Sequence, residues 1–422
     1  MDMTAPGQAA QQVGTTPSPD GGRSAGIPVW VVILAAATIA AIGMGLRQVM
    51  GLYLKPVSDT LGVGREAFAL AIAISNIVWG ISAPITGAIS DKYGTGRVAI
   101  FGAVTTIIGL LVLATAATEF DLLISGVFLG FGVAGCGVNA MVGAVARRVP
   151  AAERTSAIAA IGMGSGAGIL IALPYTHLLM QGLGWQQSLF VLAATAATIL
   201  VLARAVSGKP QVAAGESTQS LGEALGEAFK HPSFWLLNAG FFVCGFHVVF
   251  YGTHLPAYIA DKGLPPNVAV LGLTAVGLGN LIGTYLSGQW GRRLPKKYGL
   301  VLIYLGRSAV FLGFLFLPIT TTTVLLLSSV LGILWLSTVP LTSGLVATFF
   351  GAKWMTMLYG FVFLSHQVGS FLGAWLGGYI FDKLQSYDAM WWISFGLGLA
   401  AAAVNWPIRE QPVRRLAEAP AQ

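Results

Sequence analysis

Twelve long apolar runs divide the sequence, and they constrain its fold more than any other feature. A helix needs roughly 20 mostly apolar residues to span a bilayer, and each run is about that length or longer. Only 9% of the residues are charged, whereas soluble domains carry about 25%. The sequence therefore predicts an all-α integral membrane protein with twelve transmembrane helices, at about 28–54, 67–90, 98–117, 122–146, 154–180, 187–206, 233–260, 267–290, 299–317, 322–349, 355–381 and 389–407.

The polar interval 207–232 separates these runs into two groups of six. The predicted organisation is a disordered leader at 1–27, a six-helix bundle at 28–206, a central loop at 207–232, a second bundle at 233–407 and a tail at 408–422. Two basic segments, "GAISDKYGTGR" (87–97) and "GQWGRRLPKKYG" (288–299), occur about 200 residues apart at matching places in the two groups. Such a parallel repeat is typical of secondary transporters.

Basic residues between the runs predict the orientation of the chain. Seventeen of the 23 Lys and Arg residues lie in segments that share a side with the N-terminus, and four lie on the other side. The positive-inside rule then predicts that both termini are cytoplasmic in a multi-pass protein of the cytoplasmic (inner) membrane. The net charge of +7 does not indicate nucleic-acid binding, because the basic residues form no patch. The other two basic residues, Arg47 and Arg307, lie inside spans.

The segment 87–97 resembles the loop signature of the major facilitator superfamily, on the basis of five residues: Gly87, Asp91, Lys92, Gly94 and Arg97. This resemblance implies two six-helix bundles and a conformational role for the loop. We expect Gly87 to allow a close helix approach and Asp91 to face a helix N-terminus, where negative charge is favoured. The second copy has Arg292 where an aspartate would lie, and the arginine common in the fourth span is missing.

Three further stretches resemble the bacterial monocarboxylate-porter branch of that superfamily, which is related to the oxalate/formate antiporters. They are "GLRQVMGLYLKPVSDTLG", "GFFVCGFHVVFYGTHLPAYIADKG" and "LSHQVGSFLGAWLGGYIFDK". The resemblance implies transport of a small organic carboxylate.

Arg47 is the first candidate substrate ligand. A charge inside a membrane is costly and indicates function by default, and none of the sixteen acidic residues lies in the middle of a span. A substrate carboxylate could be the missing partner, because a guanidinium binds it with two parallel hydrogen bonds. Gly43, Arg47 and Gly51 share one helix face, which leaves room for a ligand. The alternatives are that Arg47 extends towards the membrane surface or bonds backbone carbonyls.

Arg307, in the ninth predicted span, could be a second ligand or a strut between helices. In the family, a second substrate arginine tends to lie one helix earlier, where this sequence offers only Asn280. Asn139, in the fourth span, is a further polar candidate.

A polar stripe on the seventh span and two residues of the eleventh complete the predicted site. His247, Tyr251, His254 and Tyr258 follow one another at offsets of 4, 7 and 11 and so share a helix face. The stripe predicts a cavity lining, and histidine can carry a proton near neutral pH. Alternatively, the histidines only bond neighbouring helices. His366 and Gln367 are the predicted contacts from the second half, ahead of a glycine seam at Gly369, Gly373 and Gly377.

No phosphate-binding loop, metal-site spacing or hydrolytic triad is present in the sequence, so we expect no cofactor, metal, ATP drive or enzymatic activity. The sequence predicts a monomeric transporter that moves an organic monocarboxylate by alternating access in symport with a proton. Anion exchange is the alternative within transport. Efflux of apolar or cationic compounds would need an acidic cavity residue, and a sensor of this fold would need a signalling domain.

Overall fold

The computed structural model describes residues 27–138, 140–142, 154–207, 220–351 and 354–414. Helices form all the regular secondary structure of these residues. They are α1 (Val29–Gln48), a 3₁₀ segment (Val49–Tyr53), α2 (Leu54–Leu61), α3 (Arg65–Tyr93), α4 (Thr95–Ala114), α5 (Glu119–Cys136), α6 (Arg154–Leu202), α7 (Leu221–Phe229), α8 (Pro232–Asp261), α9 (Pro266–Arg293), α10 (Lys296–Phe316), α11 (Thr321–Leu334), α12 (Thr338–Phe350), α13 (Met355–Leu384) and α14 (Asp388–Asn405).

Among the described residues, nine helices are long and apolar enough to cross a membrane. One of them, Ala157–Leu202, covers the fifth and sixth predicted runs together, and it bends at Gly184. Gly184 has φ +79°, a conformation that glycine adopts freely and that strains other residues. Two helices can therefore meet at Gly184 without a longer loop. The last two predicted runs correspond to α13 and α14, which are not among the nine. The protein is a multi-pass membrane protein, whereas the count of twelve spans and the side of the termini remain predictions.

The predicted leader and most of the tail lie outside the described residues. The predicted central loop contains a helix, α7, in its second part. Ser220 and Glu223 form a reciprocal capping box at its start, in which each side chain accepts a hydrogen bond from the other residue's backbone N–H. The sequence shows this motif as Ser220 followed three residues later by Glu223, and the prediction of a plain loop overlooked it.

The first membrane-crossing segment is continuous from α1 through the 3₁₀ turn to α2, spanning Val29–Leu61. Arg47 therefore lies near the middle of this segment and not close to its end. At the 3₁₀ turn, a Cβ on Gly51 would collide with the carbonyl oxygen of Gly252 in α8. Only a glycine allows this contact, so the turn brings the backbones of the two halves together beside Arg47.

The two halves meet mainly where α3 packs on α13 and α6 packs on α9. Within the second half, α8 packs closely on α13 along the predicted glycine seam. A Cβ on Gly369 or Gly373 would collide with the backbone of Phe242 or Phe246, and one on Gly377 would collide with the ring of His254. The seam is therefore confirmed, and it fixes α8 against α13 through van der Waals contact of backbones.

Candidate functional site

A cavity lies beside the 3₁₀ turn, between helices of the first half and α8 of the second half. Its volume is about 60 Å³, compared with roughly 10–15 Å³ for a single water, so it has space for a molecule of a few heavy atoms. Its polar lining residues are Arg47, Gln48, Ser75, Asn76, Thr106, Ser125 and Thr253, and the other walls are glycine or apolar side chains, among them Leu46, Met50, Phe68, Leu113, Leu122, Leu129, Val133, Val248 and Val249.

Among the described residues that line the cavity, Arg47 is the single one with a formal charge. Its Nη2 donates a 2.9 Å hydrogen bond to Oδ1 of Asn76 in α3. Its guanidinium carbon also lies 5.0 Å from the ring centroid of Trp79, one turn further along α3, within the range of a cation–π contact. Among the described residues, Arg47 forms no ion pair. Its charge is therefore stabilised by an amide dipole and an aromatic face.

Asn76 connects Arg47 to the other half of the protein. Its backbone carbonyl oxygen accepts a 3.2 Å hydrogen bond from Nε2 of Gln367 in α13. The side-chain oxygen of Gln367 in turn accepts a 3.0 Å bond from Nδ1 of His366. Two of the sequence-predicted residues, His366 and Gln367, are thus joined to Arg47 through Asn76, although neither lines the cavity.

Arg307 and Asn280 stabilise a break between two helices. The apolar run predicted as one span, 322–349, is interrupted after Leu334, and α12 begins at Thr338. Arg307 is fully buried and donates to the carbonyl oxygens of Leu334 and Trp335, while Asn280 Oδ1 accepts a 3.0 Å bond from the N–H of Leu336.

Unsatisfied backbone groups are costly inside a membrane, and a cation is favourable at a helix C-terminus. The geometry therefore favours the strut interpretation of Arg307 and gives Asn280 a structural partner.

The predicted polar stripe of α8 does not line the cavity; its members contact neighbouring helices instead. His247 Nε2 donates to the Ser394 carbonyl at 2.9 Å, and the Tyr251 hydroxyl pairs with Ser328 at 2.7 Å. His254 Nε2 donates to the Ala374 carbonyl at 2.8 Å, and Nδ1 accepts from the Tyr387 hydroxyl. Both histidines donate an N–H to a backbone carbonyl of a neighbouring helix. This is the alternative that the sequence left open, in which the histidines only bond neighbouring helices.

The loop signature between α3 and α4 is only partly described. Gly94 has φ +94° and closes α3 with an N–H bond to the Ser90 carbonyl, so a glycine is required at this turn. Lys92 and Arg97 both lie near the ring of Tyr93. A Cβ on Gly87 would have no neighbour within 4 Å, so the close helix approach predicted there is wrong for this conformation. The side chain of Asp91 and the whole of Asn139 lie outside the described part of the chain.

At the predicted outer end, a set of polar contacts joins the halves; we call Arg65, Asp261, Asp382 and Tyr387 the outer clamp. Arg65 at the start of α3 makes two hydrogen bonds to Asp261 at the end of α8, at 2.6 and 2.7 Å, and one to the Tyr387 hydroxyl. Asp382 of α13 accepts from the backbone N–H groups of Arg65 and Glu66 at 3.0 and 2.8 Å. A carboxylate is favoured at such a helix N-terminus.

The contact between α3 and α13 extends from the outer clamp to the level of Gly80 and then stops. A Cβ on Gly378 would lie 2.7 Å from Glu66, and one on Gly80 would lie 2.8 Å from Gln367. Further along the same two helices, neither Gly87 nor Gly360 has an atom within 4 Å of where a Cβ would be. The seam between these two helices is therefore tight at the predicted outer end and open towards the predicted cytoplasmic end.

Residues 30–374 match the sequence profile of the Major Facilitator Superfamily. The chain belongs to this superfamily. It is a transporter fold and not an enzyme, as the sequence predicted.

Curated relatives of this superfamily member include monocarboxylate transporters. Monocarboxylate transporter 11 of Mus musculus is 26% identical over 88% of this chain and 84% of its own length. The oxalate:formate antiporter of Oxalobacter formigenes is 24% identical over 86% of this chain and 88% of its own. These relatives confirm the resemblance to the monocarboxylate-porter branch and to the oxalate/formate antiporters.

Solved structures of the superfamily share the fold at low sequence identity. A D-xylose–proton symporter superposes with a TM-score of 0.70 at 15% identity, covering 90% of this chain and 98% of that one. A bacterial homologue of the human lysosomal transporter Spinster, in an inward-facing conformation, gives a TM-score of 0.65 at 16% identity and covers 90% of this chain and 94% of that one. At these identities the likeness establishes the fold alone.

Proposed function

We propose that the protein is a secondary transporter of a small organic monocarboxylate, which it moves by alternating access in symport with a proton. The observation that carries the proposal is a small cavity whose described lining residues carry one formal charge, the guanidinium of Arg47. Arg47 supplies one positive charge, enough for one carboxylate, and the remaining walls are glycine, apolar or neutral polar groups. A guanidinium holds a carboxylate with two parallel hydrogen bonds.

The lining favours a monocarboxylate over a dicarboxylate. A second carboxylate bound in the same cavity would face apolar groups such as Leu122, Leu129 and Val249 and would lose its hydration without a cationic partner. A short alkyl or hydroxyalkyl group suits those walls. The names of the relatives support a carboxylate or related anion as cargo.

The contacts between the halves support alternating access. The outer clamp closes one end of the α3–α13 seam, whereas the seam is open beyond Gly80 at the other end. This arrangement fits an inward-open state. In the opposite, outward-open state, the residues of the outer clamp would move apart and α3 would approach α13 near Gly87. The absence of a Cβ on Gly87 would allow that close helix contact.

Proton coupling is the finer part of the proposal. No histidine lines the cavity among the described residues, so the proton travels on the acid itself or on a residue joined to Arg47. His366 is the histidine that hydrogen bonds connect to Arg47, through Gln367 and Asn76.

The test is uptake into proteoliposomes of radiolabelled lactate, pyruvate, 2-hydroxyisobutyrate, formate and oxalate, with and without an inward proton gradient. We expect gradient-driven accumulation of at least one monocarboxylate and loss of that uptake in a folded Arg47→Ala variant. Uptake that requires a preloaded anion would identify an exchanger, and transport of none of the panel would refute the proposed substrate class.

A further inference from the structure

The side chain of Asn76 bonds to Arg47 through its oxygen and to the backbone of α3 through its nitrogen. Its side chain is almost fully buried, and its Oδ1 accepts the Arg47 Nη2 hydrogen at 2.9 Å. Its other side-chain atom, Nδ2, donates to the Ile72 carbonyl of its own helix at 2.8 Å, which fixes the amide so that the oxygen is turned towards Arg47. The residue is therefore held as an acceptor for the guanidinium.

The bond from Arg47 to Asn76 matters in the step of the transport cycle in which no substrate is bound. A carrier that performs net uptake must return across the membrane after it has released its anion, and the guanidinium then has no substrate partner. A buried charge without a hydrogen-bonding partner is strongly disfavoured. An exchanger avoids this step, because an anion accompanies the cation in both directions.

We propose that Asn76 is a stand-in ligand for the substrate carboxylate, and that it lets the unloaded carrier return. Its amide oxygen takes the guanidinium N–H that a carboxylate oxygen takes when the substrate binds. Because the amide is neutral, its bond to Arg47 is weaker than the charge-assisted bond of a carboxylate, so the substrate displaces it. The inference rests on the proposed carboxylate transport and adds to it a residue that distinguishes net transport from exchange.

The two transport modes give the test. Asn76→Ser removes the amide oxygen, and the shorter serine hydroxyl does not extend to the position of Oδ1. We expect net gradient-driven uptake to fall about tenfold or more, the factor that corresponds to one hydrogen bond to a charged group. Counterflow against the same preloaded monocarboxylate should stay within about threefold of wild type, since Arg47 then carries an anion in both directions. A purely structural role would reduce both modes equally.

A second variant tests the same idea from the opposite direction. Asn76→Asp gives Arg47 a permanent carboxylate partner, which competes with the substrate. We expect the KM for the monocarboxylate in both modes to rise about tenfold or more with Vmax nearly unchanged. Asn238→Asp is the matched control: Asn238 Nδ2 also donates to the carbonyl four residues before it, and its own carbonyl also accepts from a side chain of α13, yet Asn238 does not line the cavity.

Each outcome decides between the two claims. If the wild type transports the acid and Asn76→Ser keeps the wild-type ratio of net uptake to counterflow, the stand-in role is refuted and the proposed function stands. If the wild type shows counterflow without net uptake, the stand-in role and proton symport are both refuted, and the protein is an exchanger of the acid. If the serine variant does not fold, an Asn76→Asp variant with wild-type KM refutes it. If the wild type moves no carboxylate of the panel, both claims fail.

Discussion

Arg47 and Arg307 both place a guanidinium group inside an apolar helix, and the two groups bond to different kinds of partner. Arg47 lines a cavity and bonds a neutral side chain that a ligand could displace. Arg307 is fully buried and bonds the carbonyl oxygens of Leu334 and Trp335, which belong to the backbone and cannot be exchanged. The residue type is therefore not what identifies a binding site. What identifies it is the presence of space and of a replaceable partner.

The surroundings of the two arginines differ in the same sense. Arg47 borders a cavity that the first half shares with α8, with Gly43 of α1 and Gly51 of the 3₁₀ segment in its lining. In the second half, the helix of Arg307 packs into a cluster of aromatic side chains, in which Trp391 stacks on Phe314 at 4.7 Å and meets Phe250, Tyr251 and Phe311 edge-on or tilted. Close packing of this kind stabilises a bundle and excludes a ligand.

The largest expected effect is on the stability of the second half. Arg307→Ala would leave the carbonyl groups at the end of α11 without partners inside the membrane, and we expect a loss of about 2–4 kcal/mol in the free energy of unfolding. Arg47→Ala also removes a buried charge, and the relief of its desolvation offsets the lost bond to Asn76, so this variant should cost about 1 kcal/mol or less. Thermal unfolding of both variants in detergent measures the difference. An Arg307→Ala protein with wild-type stability but no uptake would make Arg307 a ligand and remove the contrast.

A smaller effect is expected when the outer clamp is weakened. Arg65→Gln removes the ion pair with Asp261, and we expect this to favour the outward-open state by about 1–2 kcal/mol, since the pair is only partly shielded from solvent. Spin labels at Glu119→Cys and Asn267→Cys would report longer distances between the halves at the predicted outer end.

Two features help to assign a change in these distances to the outer clamp. The native cysteines are buried and should label poorly. Lys55→Gln breaks an exposed pair within the first half and should leave the distances unchanged. Unchanged distances in Arg65→Gln would show that the clamp does not hold the halves together.

The smallest effect is expected from the polar stripe of α8. Tyr251→Phe removes one hydrogen bond to Ser328, which should lower the free energy of unfolding by about 1 kcal/mol and leave the KM for the transported acid within twofold of wild type. The measurement is uptake kinetics in proteoliposomes at several substrate concentrations. A KM raised fivefold or more would show that the stripe contributes to substrate binding. It would also weaken the contrast between the cavity beside Arg47 and the packed interior of the second half.

The fold and the place of Arg47 beside a cavity could be predicted from the sequence, because long apolar runs form membrane-spanning helices and a cation in such a run is costly without a polar or ligand partner. Other roles depended on information that spacing does not contain. The stripe at His247, Tyr251 and His254 does share a helix face, but periodicity does not say whether that face meets a cavity or another helix. The break after Leu334 is invisible in a continuous apolar run, and without it the roles of Arg307 and Asn280 could not be assigned.

Two contacts between distant residues were also missed. Asn76 looks like an ordinary polar residue in a span, and only the rotation of α3 against α1 brings it to Arg47. The outer clamp joins Arg65 to Asp261, 196 positions later, and to Asp382, 317 positions later. A weak sequence signal existed for the clamp, since all three charges lie at the ends of spans on the same predicted side of the membrane.

The central claim is that Arg47 binds the substrate carboxylate, and the most direct test is the KM for the transported monocarboxylate in wild type, Arg47→Lys and Arg47→Gln. The lysine keeps the charge but loses the two parallel hydrogen bonds, so we expect a KM raised about tenfold or more. The glutamine should abolish saturable uptake while the protein remains folded. An Arg47→Gln protein that transports the acid with the wild-type KM would contradict the claim and leave Arg47, like Arg307, a structural residue.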